Sequence, residues 1–192
     1  IKNVFKKIKK LKTKKDLIIT DVASTKVNVL SDAKSILGKE IAFVGGHPIA
    51  GTENSGFDHA DPDLFKGKTF IQSGSIGFKK NISVVLNIWK KLKTNIIQIK
   101  PNEHDKVFSY LSHLPHALSF CLNKVALKRL GSRRVKTFGG SSYMDYSRIS
   151  SSSENLWSDI FLSNKDNLIS SIDDSVDFLN KLKSALKKCS QS

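Results

Sequence analysis

The chain has 192 residues, of which 39% are hydrophobic, so it can form one domain or two small domains around a buried core. No run approaches the roughly 20 apolar residues of a membrane span, and we expect no secretory leader. Cys121 and Cys189 lie far apart, which indicates neither a disulfide framework nor a zinc site, so a reducing cytoplasm is the expected setting.

The first fifteen residues predict an amphipathic helix with a basic outer face. The formal net charge of the chain is +15, and eight lysines fall within this segment. Val4, Ile8 and Leu11 recur at helical spacing, so these three residues should form its apolar side. A solvated lysine face is favoured over a nucleic-acid patch, and nucleic acid is therefore an unlikely partner.

The following segment predicts alternating strands and helices, as in a doubly wound parallel sheet. The expected strands cover residues 17–20, 41–44, 68–72 and 95–99, the expected helices cover 26–37 and 82–92, and a helical turn is expected at 61–65. Gly38 should end the first of these helices. Residues 1–100 are thus interpreted as an α/β domain, the C-terminal half of a Rossmann-like parallel sheet.

Beyond Pro101 the apolar spacing becomes helical and stays so. One buried stripe is expected at Val107, Leu111, Leu114, Leu118, Cys121 and Val125, and another at Leu168, Ile172, Val176, Leu179 and Leu186. Pro115 should kink the first of these helices, and Ser153 should open a helix around Trp157. Residues 131–147 look like a loop. Residues 101–192 are therefore predicted to form an all-helical domain.

A glycine-rich segment around one histidine is the main functional feature. It contains Gly45-Gly46-His47-Pro48 and comes directly after an expected strand, where open α/β sheets bind ligands. Because Pro48 restricts the residue before it to extended backbone, His47 should lie just past the strand end, on the rim of the sheet. The glycines keep the backbone bare, as a ligand would require, although an ordinary turn remains the alternative.

The order of five motifs carries a family resemblance. The motifs are Asp21-Val22-Ala23-Ser24-Thr25-Lys26, His47-Pro48-Ile49-Ala50-Gly51-Thr52, Ser112-His113-Leu114-Pro115-His116, Asp145-Tyr146-Ser147-Arg148-Ile149 and Trp157-Ser158-Asp159-Ile160-Phe161. From Leu17 to Ile172 the chain resembles the prephenate and arogenate dehydrogenases of tyrosine biosynthesis. Members of that family begin with a glycine-rich dinucleotide-binding unit, so the resemblance implies that the half carrying it lies upstream of Ile1.

The resemblance implies an NAD- or NADP-dependent oxidative decarboxylation of prephenate or arogenate to 4-hydroxyphenylpyruvate or tyrosine. It also implies a homodimer formed through the helical domain. His47 is the expected base toward the ring hydroxyl, because a neutral imidazole can accept that proton at pH 7. Ser24 would hydrogen-bond the same hydroxyl or the imidazole, with helix capping as the alternative. The cofactor is expected to contact Asp21, Ala23 and Ser24.

Arg148 is the expected ligand of the substrate carboxylate, because a guanidinium can grip two oxygens at once; a surface ion pair with Asp145 or Glu154 is the alternative. The remaining expected substrate-binding residues are His116, Asp145, Gly51, Thr52 and Trp157. Asp145 would orient His116, and Trp157 could instead belong to the core of its helix. This assignment requires that His47 and Arg148 line a common cleft.

The other histidines are assigned no role in chemistry. His113 and His116 have no third ligand at a useful spacing, so no metal is expected, and His59 and His104 are expected on the surface. Met144 stands where relatives often carry arginine, so a second basic contact is expected to be missing. Two other functions stay open: a basic nucleic-acid-binding or non-catalytic module that retains the fold, and a related dehydrogenase acting on a hydroxy acid.

Overall fold

The computed structural model describes residues 1–11, 16–51 and 57–189, and the chain divides into two compact units, Ile1–Asp105 and Lys106–Ser192. The first unit contains α1 (Lys2–Lys10), β1 (Ile18–Thr20), α2 (Val27–Leu37), β2 (Ala42–Ile49), a 3₁₀ turn (Phe57–His59), β3 (Thr69–Ile76), α3 (Lys79–Lys91), β4 (Asn95–Gln98) and the start of α4 (Pro101–Phe108). The predicted strands and helices are present, most with shifted ends. Gly38, at φ +72°, follows α2 as predicted.

The four strands form one sheet in the order β1-β2-β3-β4. β1 pairs with β2, and β3 with β4, in parallel, whereas β2 and β3 are antiparallel. The predicted α/β fold class is confirmed, with the difference that the sheet is mixed. Apolar periodicity predicts where a strand lies but not its direction, since direction is set by which neighbour its backbone groups meet.

Apolar residues cover both faces of this sheet. Phe43 packs with Phe5 of α1 in one cluster, their rings meeting edge-on at 5.5 Å, while the next residue, Val44, belongs to a second cluster around Trp89. Because neighbouring residues of a strand point to opposite faces, β2 contributes to both layers. The predicted apolar side of α1 is wrong in detail, since Val4 and Leu11 are exposed and Phe5 is buried.

The second unit is helical throughout its described length, apart from short connections. It contains the end of α4, a π-helical segment (Ser109–His113), α5 (Leu114–Phe138), α6 (Ser141–Ser150), α7 (Glu154–Ser163) and α8 (Lys165–Cys189). The predicted loop at 131–147 is wrong, because helix continues on both sides of Gly131, which interrupts it at φ +75°. Ser153 opens α7 as predicted, its hydroxyl accepting the N–H of Leu156.

The kink predicted at Pro115 takes the form of the π-helical segment directly before α5. Pro115 sits in the first turn of α5, where a missing N–H costs little because that donor has no intrahelical partner. The segment carries His113, and His116 follows one turn later. The change in helix geometry before Pro115 therefore occurs where the chain carries His113 and His116.

Large apolar side chains lie exposed along α5 and α8. Leu168 is buried as predicted, but the burial predicted for seven other stripe residues is wrong, because they are exposed: Val107, Leu111, Cys121, Val125, Val176, Leu179 and Leu186. A helical period identifies an apolar side without naming what covers it. Within the described ranges, no helix is both long enough and apolar enough to cross a membrane.

Candidate functional site

His47 lies inside β2, where it pairs with Ile71 of β3 and is 9% exposed. The prediction that it follows the strand end is wrong, because β2 continues through Pro48 to Ile49. Extended backbone, which a following proline favours, is also strand backbone. His47 is consequently held by the sheet itself rather than by a loop.

Gly45 and Gly46 allow β2 and β3 to approach each other. A Cβ on Gly45 would lie 2.2 Å from the Ser73 carbonyl oxygen, and one on Gly46 would lie 2.6 Å from the Phe70 ring. The pairing is also irregular between Val44 and Gly46, as in a β-bulge. These two glycines make room for the protein's own strand, which corrects the expectation that they make room for a ligand.

A buried ion pair joins the end of β1 to β2. The Lys26 ammonium, 1% exposed, donates to the Asp21 carboxylate and, at 2.5 Å, to the Gly46 carbonyl oxygen. Asp21 also accepts the N–H of Gly46 at 2.9 Å and that of Ala23 at 3.1 Å. Burial lowers the pKa of Lys26 from its ordinary value, although the negative charge of Asp21 opposes that shift. The pair fixes Gly46, and with it His47, against the loop after β1.

The loop after β1 contains the three residues predicted to contact a cofactor. Both carboxylate oxygens of Asp21 accept hydrogen bonds, from the Lys26 ammonium and from main-chain N–H groups. Ala23 and Ser24 are half-buried. The helix-cap alternative for Ser24 is wrong. The first N–H groups of α2, from Lys26 and Val27, are accepted instead by the Asp105 carboxylate at 2.7 and 2.9 Å.

A second buried histidine contacts His47. His104 Nε2 lies 2.9 Å from His47 Nδ1, and the two rings meet at 61° with centroids 5.1 Å apart. His104 Nδ1 in turn lies 2.8 Å from Asp105 Oδ1, and both His104 and Asp105 are no more than 1% exposed. The prediction of a surface position is wrong for His104 and confirmed for His59, which is exposed.

Sequence reasoning missed this pair because 57 positions separate His47 from His104. The contact depends on the order of the strands in the sheet. β2, which carries His47, pairs with β3, β3 pairs with β4, and α4, which carries His104, follows β4. The available signal was weak: adjacent histidine and aspartate residues in the first turns of a helix. Only the strand order shows that this helix returns to the end of the sheet where His47 lies.

In the second unit, His116 stacks on Trp157 with ring centroids 3.5 Å apart and an interplanar angle of 19°. The Ser112 carbonyl oxygen accepts a hydrogen bond from His116 Nδ1 at 2.9 Å, so the structure gives to Ser112 the orienting role predicted for Asp145. Burial lowers the pKa of His116, against a smaller opposing effect of that hydrogen bond. His116 is therefore neutral at pH 7 and presents Nε2 as an acceptor.

His113, one turn before His116, is 1% exposed and is bonded to Asn164, with 3.0 Å between His113 Nδ1 and Asn164 Nδ2. Asn164 accepts in turn from the side chain of Asn167 at 2.8 Å. This contact connects the π-helical segment to the junction of α7 and α8. No group of three or more histidine, cysteine or acidic residues in the described part of the chain is arranged to hold a metal ion.

The other predicted substrate residues lie at the surface or outside the described ranges. Asp145 and Arg148, one turn apart on α6, are both exposed. Gly51 is exposed with φ +143°, a conformation that favours glycine. Thr52 lies outside the described residues.

Comparison with known proteins gives two domain matches. Residues 1–98 match the prephenate dehydrogenase nucleotide-binding domain, and residues 100–191 match the prephenate dehydrogenase dimerization domain. The prephenate dehydrogenase of Bacillus subtilis is 33% identical over 175 residues, and the cyclohexadienyl dehydrogenase of Zymomonas mobilis is 30% identical over 176. Both alignments cover 90% of this chain.

Solved structures agree with these matches. Prephenate dehydrogenase from Aquifex aeolicus, in complex with hydroxyphenyl propionate and NAD+, superimposes with a TM-score of 0.89 at 33% identity. It covers all of this chain, which covers 66% of that one. Arogenate dehydrogenase from Synechocystis shares the fold, with a TM-score of 0.74 at 24% identity over 89% of this chain and 62% of that one.

An α/β unit that matches a nucleotide-binding domain, followed by a helical unit that matches a dimerization domain, defines a class of two-domain dehydrogenases. Within that class, the chain belongs to the prephenate dehydrogenase family. It spans 47% of the length of the Bacillus relative and 60% of the Zymomonas relative. The predicted family resemblance is confirmed.

Proposed function

We propose that the gene product containing this chain oxidises and decarboxylates prephenate or arogenate with NAD or NADP, giving 4-hydroxyphenylpyruvate or tyrosine. The observation that carries the proposal is the placement of His47: buried in β2, fixed by a second ring, in a chain that matches both domains of the prephenate dehydrogenase family. A base with this support keeps a defined orientation, which proton transfer requires.

His47 supplies the base. The substrate hydroxyl sits on the ring carbon that gives up hydride, and a carboxylate sits on the opposite ring carbon. His47 takes the hydroxyl proton, hydride leaves from the carbinol carbon, and the carboxylate departs as carbon dioxide. The electron pair of the broken carbon–carbon bond completes the aromatic ring, and the ring oxygen takes the proton back from His47 to give the phenol. Because Nδ1 of His47 is engaged with His104, Nε2 is the nitrogen that acts on the hydroxyl.

The nicotinamide cofactor, when bound, accepts the hydride. β1 and β2 run in parallel, and Thr20, the last residue of β1, pairs with Val44 of β2. Open α/β sheets bind such ligands beyond the carboxyl ends of their strands. Ala23 and Ser24, half-buried in the loop after β1, fit a contact with the nicotinamide end. Asp21 does not fit as a ligand, because Lys26 and two N–H groups already occupy its carboxylate.

The second unit supplies the groups that recognise the substrate. Arg148 provides an exposed guanidinium suited to a carboxylate. His116 is neutral and held flat against Trp157, so it offers a hydrogen-bond acceptor beside an apolar surface. Asp145 of this unit completes the proposed set, together with Gly51 and Thr52 from the first unit's part of the sequence.

We further propose that the protein is a homodimer formed through its helical unit. The support is the dimerization-domain match together with the exposed apolar side chains of the two long helices. These residues include Leu122, Val125, Leu127 and Leu130 on α5, and Ile169, Val176, Phe178, Leu179 and Leu182 on α8. An apolar surface of this extent is typical of a permanent interface. A cytoplasmic location stays a prediction.

The test is an assay of the full gene product with prephenate or arogenate, each with NAD+ or NADP+, following the absorbance of the reduced nicotinamide. We expect reduction in at least one of the four mixtures. His47→Asn should abolish it while leaving the circular dichroism spectrum unchanged. His59→Asn is the matched control, since His59 is an exposed histidine of the same unit. No reduction in any mixture would contradict the proposal, and steeply salt-dependent binding to DNA or RNA would favour the basic-module alternative.

The role of Arg148 is tested separately. Arg148→Gln should raise KM by about 10- to 100-fold with a smaller effect on kcat, because charge-assisted hydrogen bonds contribute about 1.5 to 3 kcal/mol. Arg148→Lys keeps the positive charge but loses the planar guanidinium. Its KM should therefore lie between that of the wild type and that of Arg148→Gln. An unchanged KM in both variants would place the carboxylate elsewhere.

A further inference from the structure

A chain of buried hydrogen bonds leads from Nδ1 of His47 to Asp105. His104 Nε2 lies 2.9 Å from His47 Nδ1, and His104 Nδ1 lies 2.8 Å from Asp105 Oδ1. His104 is fully buried and Asp105 is 1% exposed. The two residues are adjacent on α4, so one short helix supplies both to the same side of His47.

We propose that His104 and Asp105 are positioning residues that set the tautomer of His47; this inference rests on the proposed role of His47 as the base. An ionised carboxylate only accepts hydrogen bonds, so the proton between Asp105 and His104 belongs to His104 Nδ1. A neutral His104 then carries its lone pair on Nε2. That nitrogen can only accept, so the proton between the two rings belongs to His47 Nδ1.

The lone pair of His47 is thereby assigned to Nε2. This is the tautomer that a base needs when its other nitrogen points into the protein. The arrangement parallels an Asp–His pair in which the carboxylate orients an imidazole and stabilises its cation. Here a second imidazole lies between the carboxylate and the base. The same carboxylate also stabilises His47 after it has taken the substrate proton.

Asp105 is itself anchored, which makes the chain of bonds directional. Its Oδ1 accepts the main-chain N–H of Lys26 at 2.7 Å, and its Oδ2 accepts that of Val27 at 2.9 Å. These donors form the start of α2, whose N-terminus favours an ionised carboxylate. An Asn at 105 would have to turn its NH2 group either toward the N–H of Val27, or toward His104 and the N–H of Lys26, which contact the same oxygen. The second choice puts the proton on His104 Nε2 and moves the lone pair of His47 to Nδ1.

The first experiment reads the tautomers without measuring catalysis. The full gene product, labelled with ¹⁵N-histidine, is examined by long-range ¹H–¹⁵N correlation at a pH where its histidines are neutral, and signals are assigned by their loss in His47→Asn and His104→Gln. We expect both residues to be protonated at Nδ1, and Asp105→Asn to shift His47 toward the Nε2-protonated form. A wild-type His47 protonated at Nε2 would overturn the inference, whether or not the protein is a dehydrogenase.

The second experiment measures kinetics on the substrate that the wild-type protein oxidises. His104→Phe fills the site but can neither accept nor donate, so kcat should fall by about 10²- to 10⁴-fold, the usual contribution of a positioned base, with KM little changed. His104→Gln can accept from His47 and donate to Asp105, and it should recover part of the loss. His59→Phe, at an exposed histidine, should leave kcat unchanged.

An unchanged kcat in a folded His104→Phe variant would overturn the inference while leaving the proposed function intact. Equal losses in a folded His104→Gln and a folded His104→Phe would also overturn it, since a purely structural role would not distinguish an amide that can relay a hydrogen bond from a ring that cannot. If His104→Phe does not fold, the glutamine variant and the wild-type tautomer spectrum still decide the question.

Discussion

Replacing Lys26 by methionine tests whether the buried ion pair organises the first unit. Lys26→Met keeps the length of the side chain and removes its ammonium. The Asp21 carboxylate then keeps its bonds to the N–H groups of Gly46 and Ala23 but loses its only countercharge among the ion pairs of the described residues. The Gly46 carbonyl oxygen loses the donor that lies 2.5 Å away.

The size of the effect follows from the burial of the partners. The Lys26 and Asp21 side chains are 1% and 8% exposed, so water cannot replace the lost ammonium. Removing one partner of such a pair costs about 3 to 5 kcal/mol. Because moving two charges out of water offsets much of their attraction, the pair itself is not strongly stabilising. The double variant Lys26→Met with Asp21→Asn should therefore recover part of the loss.

The assay is urea unfolding followed by tryptophan fluorescence in a Trp157→Phe background. The chain contains two tryptophans, and Trp89 is buried in the first unit, so its emission then reports that unit. With an m-value of about 2 kcal/mol per molar urea, Lys26→Met should lower the midpoint by about 2 M. A midpoint within about 0.3 M of the parent, or a double variant as unstable as the sum of the singles, would refute the reasoning.

Three further outcomes are expected. Gly46→Ala should lower the stability of the first unit by about 1 to 3 kcal/mol in urea, because its Cβ meets the Phe70 ring, whereas Gly140→Ala, which meets nothing within 4 Å, should change little. The pKa of His116 is lowered in the folded state, so below pH 6.5 the folded state binds fewer protons than the unfolded state. The free energy of unfolding should therefore be highest above pH 6.5 and should fall as the pH drops through the folded pKa. The wild type should therefore lose stability relative to His116→Gln in acid, and parallel pH curves would contradict this. Phe178→Glu, at a side chain 71% exposed in the single chain, should shift sedimentation toward the monomer without changing the helical signal; an unchanged mass would exclude this residue from the interface.

Local pattern predicted most of the elements because strands and helices leave periodic apolar signals. The strands before Asp21 and around Val44, the helix ended by Gly38 and the helix opened by Ser153 all follow from such signals. The pattern failed at 131–147, where a loop was predicted and most residues belong to α5 and α6, with α5 interrupted at Gly131. It also failed to extend β2 through its two glycines, because their strand partner supplies what their own propensity lacks.

The candidate site divides in the same way. The sequence order of the motifs was sufficient to identify the family and to select His47, Ser24, His116 and Arg148 for testing. It gave no indication that Lys26 would form an ion pair with Asp21, or that Asp105 would accept the N–H groups at the start of α2 in place of Ser24.

The sequence by itself determined the fold class, the family and the types of chemical group available, since these depend on residue identity and short-range spacing. Tertiary structure alone decided the direction of β3 and the bonds between His47, His104 and Asp105. The physical reason is that a hydrogen bond between residues 57 positions apart depends on strand order and helix placement, and neither leaves a periodic trace along the chain.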